Sequence, residues 1–218
     1  MVLPGGAAMN GNGTEYHDIA CQQVLLRDAS VFSIQWTVMP AVYAPLLSPS
    51  FLVSRYLAYL RRCTLSLIRP AHHGETVEFR LLDTGLSLVS FTGPVFSVEA
   101  HTSSATLRIC GGFLVQPREC HRGELSFGVE TVADGVRITL RLSDFCPLLL
   151  GGAAPSLVRK ILYRSTQATI HRIVTVRFLA RLRRELTGHG TRVRVVRVRV
   201  REGEDIRPCK PGAPWYSM

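Results

Sequence analysis

Residues 155–186 read PSLVRKILYRSTQATIHRIVTVRFLARLRREL, and this stretch decides the fold class. Beyond its first residue it contains neither glycine nor proline, and Gly188 follows closely as a stop. Proline is tolerated at a first helical position because the N–H it lacks would have no partner there. The stretch therefore predicts one long helix, about 45 Å at 1.5 Å per residue. At 100° per residue, Val158, Leu162, Thr169, Ile173, Val176 and Ala180 fall on one ridge. Leu157, Ile161, Ala168, Leu179, Leu182 and Leu186 fall on the next. The combined arc covers about half the circumference, more than a surface helix needs, so the helix is expected to lie across a broad apolar surface such as a sheet. Ile170, Val174 and Phe178 make a third ridge that calls for cover on the back. Arg172 projects from the middle of the apolar arc.

Upstream, the spacing predicts the sheet. Val31–Met39 alternates with Phe32, Ile34, Trp36 and Val38 on one face, which predicts a half-buried strand with that face inward. Pro40, Pro45 and Pro49 break the chain, Ser50 is a candidate cap, and Val53, Tyr56, Leu57, Leu60 and Leu67 follow at helical spacing until Pro70 closes the helix. Six strand-like runs come next, at residues 76–82, 86–91, 95–100, 105–116, 124–131 and 136–143. Ala133-Asp134-Gly135 is the strongest hairpin signal, and Gly111-Gly112 suggests a bulge or a close approach. After the long helix, residues 191–202 read TRVRVVRVRVRE. The parity switch at Val195-Val196 predicts a bulged edge strand that keeps all five arginines on the solvent face.

Composition bounds the rest. The 218 residues are 46% hydrophobic and 19% charged, as expected for a folded chain with one principal core. No apolar run approaches the ~18 residues of a bilayer span. Residues 1–15 lack the pattern of a secretory signal and are expected to be a flexible leader, with Met9 an alternative start. This favours a cytoplasmic location. Residues 16–187 form the expected domain, and residues 188–218 a basic strand and irregular tail. Residues 1–154 carry 11 basic and 12 acidic residues, whereas residues 155–218 carry 15 and 4, so the net +10 belongs to the long helix and the residues after it. Nearly all of that charge is arginine, the residue of planar anion recognition and also the product of GC-rich coding.

Catalytic and metal patterns are weak. The six cysteines show no CxxC spacing and are expected as buried free thiols. His72-His73 with Glu75 and Glu78 lies in a turn where adjacent side chains diverge, and Cys120-His121 lacks the geometry of a nucleophile and its base. No metal or cofactor is expected. VRVRVVRVRVR carries the charge of a phosphate binder without the aromatic residues of a stacking platform.

The element order, strand, helical segment, six antiparallel strands and long C-terminal helix, resembles the helix-grip fold of the START, pollen-allergen and polyketide-cyclase superfamily (SRPBCC). The stretch GELSFGVETVADGVRITLRLSDFCP, with the helix after it, is similar to the ending of small uncharacterised bacterial members. Residues 16–26 and the basic C-terminal strand are additions to that pattern. The resemblance implies an α+β fold, a curved antiparallel sheet wrapped around the long helix with a cavity between them. It implies a soluble binding protein for an apolar or amphipathic small molecule. The alternatives are a cyclase or lyase acting on a polyketide-like substrate, and binding of nucleic acid or an acidic membrane surface through the basic third. The polar groups expected to orient a guest are Arg172, Thr169 and Thr166 on the helix, and His101, Arg108 and Arg141 on the sheet.

Overall fold

The computed structural model describes residues 8–9, 15–119, 121–152, 155–190 and 192–206. The rest of the expected leader, Cys120 and the tail from residue 207, with Cys209, lie outside the described residues. The strands are β1 (Ala8–Met9), β2 (Glu15–Leu25), β3 (Val31–Met39), β4 (Ile68–His73), β5 (Thr76–Leu81), β6 (Ser87–Thr92), β7 (Val95–Glu99), β8 (Thr102–Gly111), β9 (Glu124–Val132), β10 (Gly135–Phe145), β11 (Arg192–Arg197) and β12 (Glu204–Asp205). The helices are α1 (Pro49–Cys63), α2 (Leu157–Ser165) and α3 (Gln167–Thr187). The fold is α+β, an open mixed sheet with α1 and α3 packed on it. No described helix is long and apolar enough to cross a membrane.

The sheet runs β1-β2-β3-β10-β9-β8-β6-β5-β4. Consecutive strands from β4 to β10 form an antiparallel meander, and β3 returns beside β10. Gly93-Pro94 divides what would be one strand into β6 and β7, which lie end to end along β8. The predicted hairpin joins β9 to β10, with Gly135 at φ 142° directly against the Met39 carbonyl. Gly112 takes φ 116°, and its α-carbon sits so close to the Leu88–Val89 backbone that no side chain fits. This is the close approach that the paired glycines suggest.

Five expectations are corrected. The predicted helix spans 31 residues but is interrupted at Thr166 (φ −111°, ψ −92°), which divides it into α2 and α3. The hydroxyls of Thr166 and Thr169 donate to the carbonyls of Leu162 and Arg164, at 2.7 and 2.6 Å, which satisfies the end of α2. Beyond the break the apolar arc is buried, at Ala168, Val176, Leu179 and Leu182. Before it, the same arc points outward. Second, α3 packs chiefly over β2 and β3 and beside α1, not along the strands of residues 76–143. Phe178, on the third ridge, is covered by α1, with Tyr56 and Tyr59 at 5.2 and 5.6 Å.

Third, Ile68–His73 is a strand rather than a helix end, because Thr64 closes α1 with its hydroxyl on the Leu60 carbonyl at 2.8 Å. Fourth, the sheet is mixed rather than antiparallel. Gln23 meets Ala168, near the start of α3, and His17 senses the charge of Arg183, near its end, so α3 runs opposite to β2. The chain turns at Gly188 (φ 72°) and must travel back the other way, so β11 pairs with β2 in parallel, Arg192 opposite Tyr16 through Arg197 opposite Cys21. Fifth, β11 stops at Arg197, and its arginines are not all left to solvent. Arg194 pairs with Asp18, Arg197 with Asp205 and Arg201 with Asp144, while Val195 is buried.

The core joins Tyr56 of α1 to Phe127 of β9 and Phe178 of α3 in edge-on contacts. Of the thiols, Cys21 and Cys146 are buried, but Cys63 is exposed at the end of α1.

Candidate functional site

The strand β3 shows both faces to protein, and its fully buried face is the one the alternation did not select. Val31, Ser33, Gln35, Thr37 and Met39 are all 1% exposed or less, and they share the side of the sheet that carries α3. Phe32, Ile34, Trp36 and Val38 face the other side, where Arg201 lies over the Phe32 ring at 5.3 Å. The neighbouring β2 is buried on both faces too. Gln22 is held by the returning chain, its side-chain oxygen accepting from the Val200 and Arg201 amides at 2.8 and 3.0 Å. His17, Ile19, Cys21 and Gln23 share the face toward α3.

The result is a polar layer inside the protein. Gln35 donates to the Ser33 hydroxyl at 2.8 Å and approaches the Cys21 sulfur at 3.7 Å. Gln23 donates to the Ala168 carbonyl at 3.2 Å. At the far end the Thr37 hydroxyl donates to the Asp18 carbonyl at 3.1 Å and touches His17 Nε2. That hydroxyl has one hydrogen, already committed to Asp18, so Nε2 of His17 carries the proton and donates. Burial and the nearby Arg183 lower the His17 pKa to about 4, so the ring is neutral at pH 7.

Arg172 stands in this layer, 8% exposed, and its guanidinium is not without an interaction. Between the two anchors of α3, the rises of 1.5 and about 3.3 Å per residue put Arg172 roughly level with Cys21 and Gln23, and so with Gln35 and Ser33 across the β2–β3 register. His171 lies deep enough for desolvation alone to lower its pKa to about 4, yet it keeps accessible surface. Thr175, fully buried, donates to the His171 carbonyl at 2.9 Å and meets the Tyr56 hydroxyl.

One acceptor of the layer stands out chemically. Gln35 is 0% exposed, and its Oε1 accepts no hydrogen bond from any described residue. Whichever way the amide is turned, one of its ends lacks a protein partner, because Ser33 and Cys21 serve only the other. Buried polar atoms are paired in the great majority of cases, and leaving one unpaired costs about 1–3 kcal/mol.

The expected site residues divide. Arg172 lies in the interior layer. Thr166 and Thr169 give their hydroxyl hydrogens to α2 carbonyls. His101, Arg108 and Arg141 are exposed, the last two on the face opposite the core-facing Leu107, Ile109 and Leu140, and Arg108 pairs with Glu124 at 3.5 Å. The structure does not bring them to Arg172. The residues that do line the layer, Ser33, Gln35, Gln23 and Cys21, carry one signal in the sequence: Val31 and Met39 share parity with Ser33 and Gln35. Comparison of the chain with family models, with curated proteins and with solved structures returns no match.

Proposed function

We propose that this chain is a helix-grip-type binding protein that holds an apolar or amphipathic small molecule in its interior, with the guest's polar end at the layer of Gln35 and Arg172. Three observations support the reading. Along the chain, β3, α1, the strands β4 to β10 and then α2 with α3 accord with the strand, helix, strands and C-terminal helix of the resemblance, with β4 as one strand more. A mostly apolar interior carrying a few convergent polar groups is the usual make-up of a small-molecule site. Arg172, buried on α3, offers a guanidinium suited to a guest's acidic end.

The observation that carries the proposal is the acceptor of Gln35. A hydroxyl or amide hydrogen on a guest would satisfy it, and nothing in the described protein does. Native mass spectrometry of the purified protein tests the reading. A discrete mass excess that disappears on denaturation, and that is identified as an amphipathic molecule bearing a hydrogen-bond donor, is expected. Apo protein that also takes up none of a panel of fatty acids, sterols and polyketide-like aromatics would sink it.

A further inference from the structure

The helix α2 is amphipathic in the inverted sense. Leu157, Val158, Ile161 and Leu162 are 71%, 74%, 55% and 47% exposed, while its inward side carries Tyr163 and cations. At 100° per residue the four aliphatic side chains occupy about 140° of arc, all of it outward. Lys160 and Arg164 border one side of that arc and reach back to Glu204, at 2.8 and 2.7 Å. Arg159 borders the other side, lying exposed against Gly151. The nine residues contain no acid. The same outward face continues past the break at Ile170, 56% exposed, and then at Arg177 and Arg184.

We infer that α2 is a membrane-docking helix that lies in the plane of an anionic lipid surface. An apolar arc flanked on both sides by long cationic side chains is the pattern of an interfacial helix, with the aliphatic groups entering the acyl boundary and the cations at the headgroups. The ties to Glu204 and to the Asp205 carbonyl hold the helix on the protein with its apolar face outward. Charge selects the partner. The helix carries three cations and no acid, and Arg177 and Arg184 lie exposed on the continuing face; these attract an anionic surface. A second copy docked face to face on α2 would oppose like charges along both flanks. Nucleic acid offers nothing for four exposed aliphatic side chains.

Flotation with vesicles of phosphatidylcholine alone, and of phosphatidylcholine mixed with phosphatidylglycerol, tests this. Wild type is expected to float with the mixed vesicles and much less with the neutral ones, and added salt should weaken the association. The double variant Val158→Glu, Ile161→Glu changes only exposed positions. It should keep the wild-type melting temperature and circular dichroism and lose partition by about a hundredfold. Arg159→Gln should lose about fivefold, from removing one charge near the surface. Three results overturn the inference: no flotation of wild type, flotation unaffected by the double variant, or equal partition onto both vesicle types. Sedimentation velocity supplies the competing outcome. A wild-type dimer that the double variant dissociates, without vesicle binding, assigns α2 to a second copy of the chain.

Discussion

Asp18 and Arg194 meet side by side, Arg194 Nε to Oδ1 at 2.7 Å and Nη2 to Oδ2 at 2.6 Å, and this two-point contact ties the parallel strand β11 to β2. The pair also explains how a basic strand sits on a sheet edge without acting as a free cationic surface. Arg194 is part-exposed, so solvent screens the attraction, and Asp18→Asn is expected to cost only about 1 kcal/mol. The effect should be local. Hydrogen exchange of the β11 amides should quicken in the variant while that of β9 and β10 stays at the wild-type rate. Uniform acceleration across the sheet would show that β11 is not separately held.

Two histidines set the acid limit. Burial lowers the pKa of both His17 and His171 to about 4 in the folded protein, whereas the unfolded chain protonates near 6.5. The unfolded state therefore binds more protons as pH falls from 6.5 toward 4, and stability is lost across that window and fully kept above it. The groups facing His17 are Arg183, which opposes protonation, Asp18, which favours it, and the Thr37 hydroxyl. Each histidine contributes a loss of about 3 kcal/mol at the bottom of the window, as an order of magnitude. Melting temperatures at pH 7 and pH 4.5 measure the drop. In His171→Gln the drop should shrink, and an unchanged pH profile would remove His171 from the account.

Much of this fold was legible because its devices are local. The Ala133-Asp134-Gly135 hairpin, the Gly112 approach and the meander of residues 76–143 follow from turn residues and alternation. The break at Thr166 was not legible, since neither glycine nor proline marks it and threonine is admissible in a helix. β2 was hidden for a different reason. Its sequence EYHDIACQQVL does not alternate because both of its faces are covered, one by α3 and the other by the chain after Val198, and its polar residues are satisfied there. On β3 the apolar face is buried as its alternation suggests, but the burial of the other face is not legible, because Ser33, Gln35 and Thr37 look like a solvent face. They are polar and fully buried, and that combination marks the candidate site. Arg172 was legible from its place in the apolar arc. His101, Arg108 and Arg141 were not separable from core-facing residues until the register of β8 and β10 was known.

Gly135 is the position where backbone geometry leaves least room. Its φ of 142° lies where side chains are rarely accommodated, and a Cβ there would run into the Met39 carbonyl oxygen. Gly135→Ala must therefore move either the β9–β10 hairpin or the end of β3, which pair at Val136 and Met39. The expected loss is about 3 kcal/mol, read as a fall in urea midpoint with the slope unchanged. Gly74, with φ 56° and open space around it, is the control, and Gly74→Asn should cost well under 1 kcal/mol.

The contrast between Gln35 and Arg172 separates a binding role from a structural one. Gln35 has an acceptor that no described residue uses, so Gln35→Leu removes a group that burial penalises and leaves the side-chain volume nearly the same. Ser33 loses one donor but keeps a hydroxyl that can turn. Stability in the absence of a guest should stay within about 1 kcal/mol of wild type, and a rise is allowed. Affinity for the guest should fall by roughly tenfold, the worth of one neutral hydrogen bond. Arg172 behaves differently because it is buried with an interaction inside the fold. Arg172→Met keeps the packing of the stem but leaves the partner groups buried without it, at a cost of about 2–4 kcal/mol. If a guest's acidic group shares that guanidinium, affinity should fall as well, by ten- to a hundredfold. The measurement is one melting curve and one binding isotherm for each variant. Loss of stability in Gln35→Leu, with affinity unchanged, would place Gln35 in the framework and withdraw the polar layer as the guest's anchor.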